Sequence, residues 1–179
     1  DIVAWYQSHR VGFLVGNYLG IAAFFPGFVQ LAVRAARVRR LEGPEGWLGA
    51  LVLTTGTFGY AVFGVSLMLF QVLPFLVDPK AAEAFHVLGS VWFALDGLAA
   101  VPLVLAVGWA TVRTGMLPRG FAPASWAVAA LALLMSVGGL TDSPAWLAGG
   151  GPVTLLGFVA FFAWTGAIGV VMLRRPVPR

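Results

Sequence analysis

The sequence predicts an all-α fold, a polytopic transmembrane helical bundle with five spans, the N-terminus outside and the C-terminus cytoplasmic. Three observations carry that prediction. First, the 179 residues are 60% hydrophobic and only 10% charged, whereas a soluble domain carries about 25% charged residues. A globule this apolar could not cover its surface in water. Second, several apolar stretches reach the roughly 20 residues that a helix needs to cross a bilayer. Third, the arginines collect at the ends of those stretches that share one side. Residues 1–179 therefore read as a single membrane domain. The net charge of +4 does not imply nucleic acid, because the arginines flank apolar segments. Cysteine is absent, which excludes disulfides, thiolate nucleophiles and cysteine metal ligands. Ten of the eleven basic residues are arginine, which reads as coding bias.

Span one covers about residues 11–33. Its GFLVGNYLG pattern places Gly12, Gly16 and Gly20 four residues apart, and Ala23 and Gly27 extend the stripe. Small residues let backbones approach closely in a membrane. The stripe reads as an intramolecular packing face, with a homodimer seam as the second reading. Pro26 removes one helical bond and leaves the Ala22 carbonyl to find another partner. Span two, about 47–70, offers a matching surface in Gly56, Gly59 and Gly64. Thr54, Thr55 and Thr57 can bond back to their own helix.

Span three covers about 85–111. Asp78-Pro79 reads as an N-cap followed by the first helical position, so this helix can start near Pro79 and project beyond the membrane. Pro102 inside it should free the Leu98 carbonyl. Span four, about 123–140, starts at Pro123. Ser143-Pro144 is a candidate start for a short interfacial helix, and Gly149 to Gly151 separate it from span five, about 152–173. Pro152 fits a first helical position, and Thr165 and Gly169 repeat the four-residue spacing.

Orientation follows from basic residues. Arg34, Arg37, Arg39 and Arg40 follow span one, Arg113 and Arg119 lie between spans three and four, and Arg174, Arg175 and Arg179 follow span five. If all five segments cross, these regions share one side, which is then cytoplasmic. The other side holds Arg10, Lys80, Asp1, Asp78, Glu83, Asp142 and both histidines. Trp47, Trp109 and Trp126 fall near the inner interface, and Trp5 and Trp146 near the outer one. Trp164 reads as deep, its N–H bonded to a neighbouring helix.

The lead-in DIVAWYQSHRVGFLVGNYLG is aromatic, polar and arginine-containing. It resembles the same region of uncharacterised bacterial polytopic inner-membrane proteins that form a domain-of-unknown-function family. The resemblance extends over the chain mainly as hydropathy and loop charge. It implies a bacterial cell membrane and an extra span before this segment, six in all. It supplies no site residues.

The stretch VWFALDGLAAVP carries the main functional clue. Asp96 stands about ten residues inward from His86, roughly 15 Å along a helix and near the bilayer centre. A carboxylate there costs at least about 2.5 kcal/mol on insertion scales, so it should face other helices or water. Depth selects its expected neighbours as Asn17, the adjacent Tyr18, and Tyr60 near mid-depth. The candidate binding set is thus Asp96, Asn17, Tyr18, Tyr60 and His86: Asp96, Asn17 and a tyrosine are expected to form a hydrogen-bonded cluster that opens outward, with Asn17 the first candidate partner, and His86 lies at the outer surface. The same cluster can equally serve as helix-to-helix glue.

No metal-ligand spacing, phosphate loop or Ser-His-Asp set is legible. No cofactor is expected: neither histidine lies in a span to hold haem, and Lys80, the only lysine, is in a loop and cannot form an intramembrane Schiff base. The reading favours a non-enzymatic transporter-like, channel-like or accessory subunit. The alternative is a membrane-embedded enzyme acting on a lipid or isoprenoid with Asp96 as general acid. Such chemistry wants a second carboxylate or base nearby, and Glu83, His86 and Asp142 fall too far outward. Expected partners are membrane lipids, an apolar small molecule, and a second copy of the chain or a partner membrane subunit.

Overall fold

A computed structural model describes residues 2–140 and 151–174, apart from the side chains of 138–140. Its regular structure is helical: α1 (Ile2–Ser8), α2 (Arg10–Ala22), α3 (Phe24–Glu42), α4 (Leu48–Val72), α5 (Pro79–Thr114), α6 (Phe121–Leu140) and α7 (Pro152–Arg174), with a 3₁₀ turn at Leu73–Phe75. Four units are long and apolar enough to cross a membrane: α2 with α3 (Arg10–Glu42), α4 with its turn (Leu48–Phe75), α5 and α7. The described apolar part of α6, Phe121–Val137, is shorter. These are the proportions of a membrane protein. Large apolar side chains such as Phe25, Val29, Leu155 and Leu173 point outward, as lipid requires and water would not favour.

Local chemistry sets the boundaries. Pro26 has no N–H to offer the Ala22 carbonyl, and the helix is interrupted at Ala23, between α2 and α3. Backbone bonds from Ala23 N to Leu19 O and from Gly27 N to Ala23 O carry the path across the break. Helix α3 continues well past Val33 and stops at Gly43, whose φ of 87° suits glycine. Asp78 caps α5 by accepting from Lys80 N at 3.0 Å, with Pro79 at the first helical position. The helix then runs 36 residues, through Pro102, to Gly115. At about 1.5 Å per residue it outreaches a hydrocarbon core of about 30 Å.

Helix α5 is the centre of the bundle. It packs against α4 on one side and α6 on the other, while α3 packs on α4 and α7 on α6. The main buried cluster, including Leu31, Val38, Leu48, Val52, Val104, Val107 and Ile168, lies toward the C-terminal half of α5. Helices α5 and α6 approach closely at Gly97, where a Cβ would stand 2.5 Å from both the Ala132 carbonyl and Ser136 Oγ.

Three expectations are corrected. The span-one glycine stripe is not an internal packing face along its length: a Cβ on Gly12 or Gly16 would meet nothing within 4 Å, and contact begins only at Gly20, against Leu67, and Gly27, against Tyr60. The amphipathic face of α2 turns its smooth side away from the bundle. The helix of span one does not end at about residue 33: it runs on to Glu42 and carries Arg34 and Arg37, both buried, to the Thr165 and Met172 carbonyls of α7. The third correction concerns the neighbours of Asp96. The expected Ser143-Pro144 helix, Asp142 and Trp146 lie outside the described residues.

Candidate functional site

Asp96 sits at the midpoint of α5 and is 7% exposed. Its partner is Ser66 of α4, whose hydroxyl donates to Asp96 Oδ1 at 3.0 Å. Ser66 also approaches the Val62 carbonyl at 3.4 Å. A hydroxyl has one proton to give, and the carboxylate is the stronger acceptor. The other carboxyl oxygen, Oδ2, is buried with no hydrogen-bond partner among the described residues.

Asp96 lines a cavity of about 470 Å³. On α5 the wall begins at Asp96 and continues through Gly97, Ala100 and Leu103, so the space extends from Asp96 toward the Thr114 end of the helix. The α3–α4 pair forms one flank, with Tyr60 and Gln30 in the wall, and α6 with α7 forms the other, with Met135 and Thr165. The lining is mostly apolar because small residues, including Gly56, Gly59, Gly97 and Gly157, leave volume between helices that larger side chains would fill.

At one end the flanks are tied by polar side chains. Gln30 Nε2 and Arg34 Nη2 both donate to the Thr165 carbonyl, at 2.9 and 3.1 Å. Arg37 Nη1 donates to the Met172 carbonyl at 3.3 Å. Gly169 makes this possible, since a Cβ there would stand 2.5 Å from Gln30 Nε2. The Arg34 guanidinium also lies over the Trp164 ring, 5.4 Å from its centroid. Trp164 in turn donates from Nε1 to Ser125 Oγ of α6 at 3.0 Å, the deep, helix-bridging tryptophan that the sequence predicted.

The structure brings two of the five expected site residues together, Asp96 and Tyr60, in one cavity wall. It does not bring in the other three. Asn17 does not bond Asp96; its Nδ2 is buried without a hydrogen-bond partner among the described residues. Tyr18 is 65% exposed on the outside of α2. His86 belongs to a separate contact, in which Nδ1 lies 2.9 Å from the Tyr6 hydroxyl. His86 is not among the residues that line the cavity. No family model, curated protein or solved structure matches the chain. The site is therefore read from its geometry alone.

Sequence reasoning missed Ser66, Gln30, Arg34 and Thr165. Gln30 and Ser66 had a usable signal, as polar residues inside apolar stretches. Arg34 gives no such signal, because it stands in the same run as Arg39 and Arg40, which are exposed. Among the described residues no three His, Asp or Glu side chains gather as metal ligands would. What the wall can do chemically is accept one hydrogen bond or one positive charge at Asp96 Oδ2, beside a large apolar and aromatic volume.

Proposed function

We propose that this is a non-enzymatic membrane protein that binds an apolar or weakly polar small molecule within the bilayer, as a small transporter, a channel-like unit or an accessory subunit. The bacterial inner membrane, five crossings, an outer N-terminus and a cytoplasmic C-terminus complete the reading. The observation that carries it is the cavity of about 470 Å³ with the Asp96 carboxyl in its wall and Oδ2 without a partner among the described residues. Ligand sites are commonly apolar, roughly 300–1,000 Å³, with a few convergent polar groups. The enzyme alternative has less support, since the described lining holds no second carboxylate and no histidine to share acid–base work.

An apolar photoreactive probe, a phenyl diazirine, tests this with the full chain in lipid nanodiscs. Leu103 and Met135 line the cavity and are otherwise buried. Adducts are expected on both, and on neither after Ala100→Phe fills the space between. Adducts confined to lipid-facing residues such as Phe25, Val29 and Leu173 would overturn the reading.

A further inference from the structure

Six aromatic rings border the cavity, and they form a connected arc. Tyr60 meets Phe24 edge-on at 5.7 Å, Phe24 meets Phe63 at 5.6 Å, and Phe63 meets Phe158 across the α4–α7 gap at 6.3 Å. Phe158 stacks on Phe162 at 6.2 Å, and Phe162 meets Phe161 at 5.9 Å. All six line the space that Asp96 lines. Aromatic faces carry negative potential and attract cations.

The charge pattern of the wall points the same way. Asp96 is its one carboxylate, and the described lining contains no Lys, Arg or His. Arg34 stands at one end of the cavity, where it donates to the Thr165 carbonyl and lies over the Trp164 ring. A buried carboxylate with one hydroxyl partner and a second oxygen without a partner lacks the compensation that buried charges ordinarily have. An ammonium N–H would supply it, in a charge-assisted bond. A molecule with an apolar or aromatic body would fill the rest of the volume.

Access also fits such a molecule. Helix α7 packs mainly on α6, and its described ties to α3 are side-chain bonds at the Arg34 and Arg37 end. Phe162 lines the space and is 54% exposed, so the cavity opens on the outer face of the bundle.

We infer that the cavity recognises lipophilic amines in their ammonium form, with the N–H on Asp96 Oδ2 and the apolar body against the aromatic arc. This rests on the small-molecule reading above and names its ligand class.

The test is displacement of the diazirine photoprobe from Leu103 and Met135 in zwitterionic nanodiscs, with three competitors of nearly equal shape: 4-phenylbutylamine, 4-phenylbutanol and 4-phenylbutyrate, each compared at equal bilayer concentration. The amine should displace at about tenfold lower concentration than the alcohol, and the carboxylate should be the weakest. In Asp96→Asn the advantage of the amine over the alcohol should fall below about threefold. Equal potency of amine and alcohol in the wild-type chain, which needs no folded variant, would overturn the ligand class while leaving the cavity reading intact. So would an amine preference that survives in folded Asp96→Asn. If the probe labels Leu103 and Met135 but none of the three displaces it, the amine inference fails; if the probe labels neither residue, the small-molecule reading fails and the amine inference fails with it.

Discussion

Tyr6 and His86 stand 80 residues apart and are joined by one hydrogen bond of 2.9 Å. It fastens α1 to the start of α5, at the end of the bundle away from the cavity. Tyr6 is 4% exposed, and burial pushes its hydroxyl above the ordinary value of 10.0. It therefore stays protonated through the neutral range, within hydrogen-bond reach of His86 Nδ1. The sign of the pH effect follows from the raised value. Below about pH 10 Tyr6 is protonated whether α1 is docked or not, and its contribution is intact. Above that, the undocked state ionises first, and docking weakens as pH rises. Hydrogen exchange of residues 2–8 should accelerate above about pH 10 in the wild-type chain. Tyr6→Phe, which cannot ionise, should lack that alkaline transition and lose about 1 kcal/mol of docking stability at neutral pH. Identical alkaline behaviour of the two would assign the transition to another group.

Among the helices, the sequence was most legible where one residue acts on its own backbone. Asp78-Pro79 marks the start of α5 because the cap needs only the next turn. Thr54 and Thr55 bond back to the Ala50 and Leu51 carbonyls as expected. Trp164 was legible because so large a polar-tipped ring, deep in an apolar span, has to find an acceptor. The partner of Asp96 was not legible. Counting residues fixes height along a helix, but each residue also turns it by about 100°, and the count says nothing of how neighbouring helices are rotated. Depth pointed to Asn17, and the structure sets Ser66 of α4 against Asp96 instead. The glycines failed for the same reason. A four-residue spacing identifies a smooth stripe without saying what it faces. Gly97 and Gly16 now make opposite predictions. Gly97→Leu should destabilise the fold by at least about 1–3 kcal/mol, since the Ala132 carbonyl stands where its Cβ must go and backbone cannot yield as a side chain can. Gly16→Leu should leave thermal stability in detergent within about 0.5 kcal/mol, because its Cβ would meet nothing within 4 Å. A large loss for Gly16→Leu would mean that α2 packs on something other than the bundle described.

At the scale of the whole molecule, the polar interior divides into two zones along α5. Asp96 and Ser66 hold its middle, and Gln30, Arg34 and Arg37 bind α7 carbonyls nearer the end where α3 finishes. An arginine inside a membrane protein is costly unless it reaches an interface or a polar partner. Burial of two arginines at the same end as exposed Arg39, Arg40 and Arg113 keeps all that charge together. That is what insertion with positive residues on the cytoplasmic side produces. The sidedness can be read directly, because the sequence lacks cysteine and single cysteines give clean signals. Lys80→Cys lies at the exposed start of α5, and Arg119→Cys in the exposed loop between α5 and α6. In intact cells an impermeant maleimide should label Lys80→Cys, and should label Arg119→Cys only after the membrane is opened. Equal labelling of both from outside would mean that α5 does not cross. The reverse pattern would put the arginine-rich end outside and remove the positive-inside argument for the whole bundle.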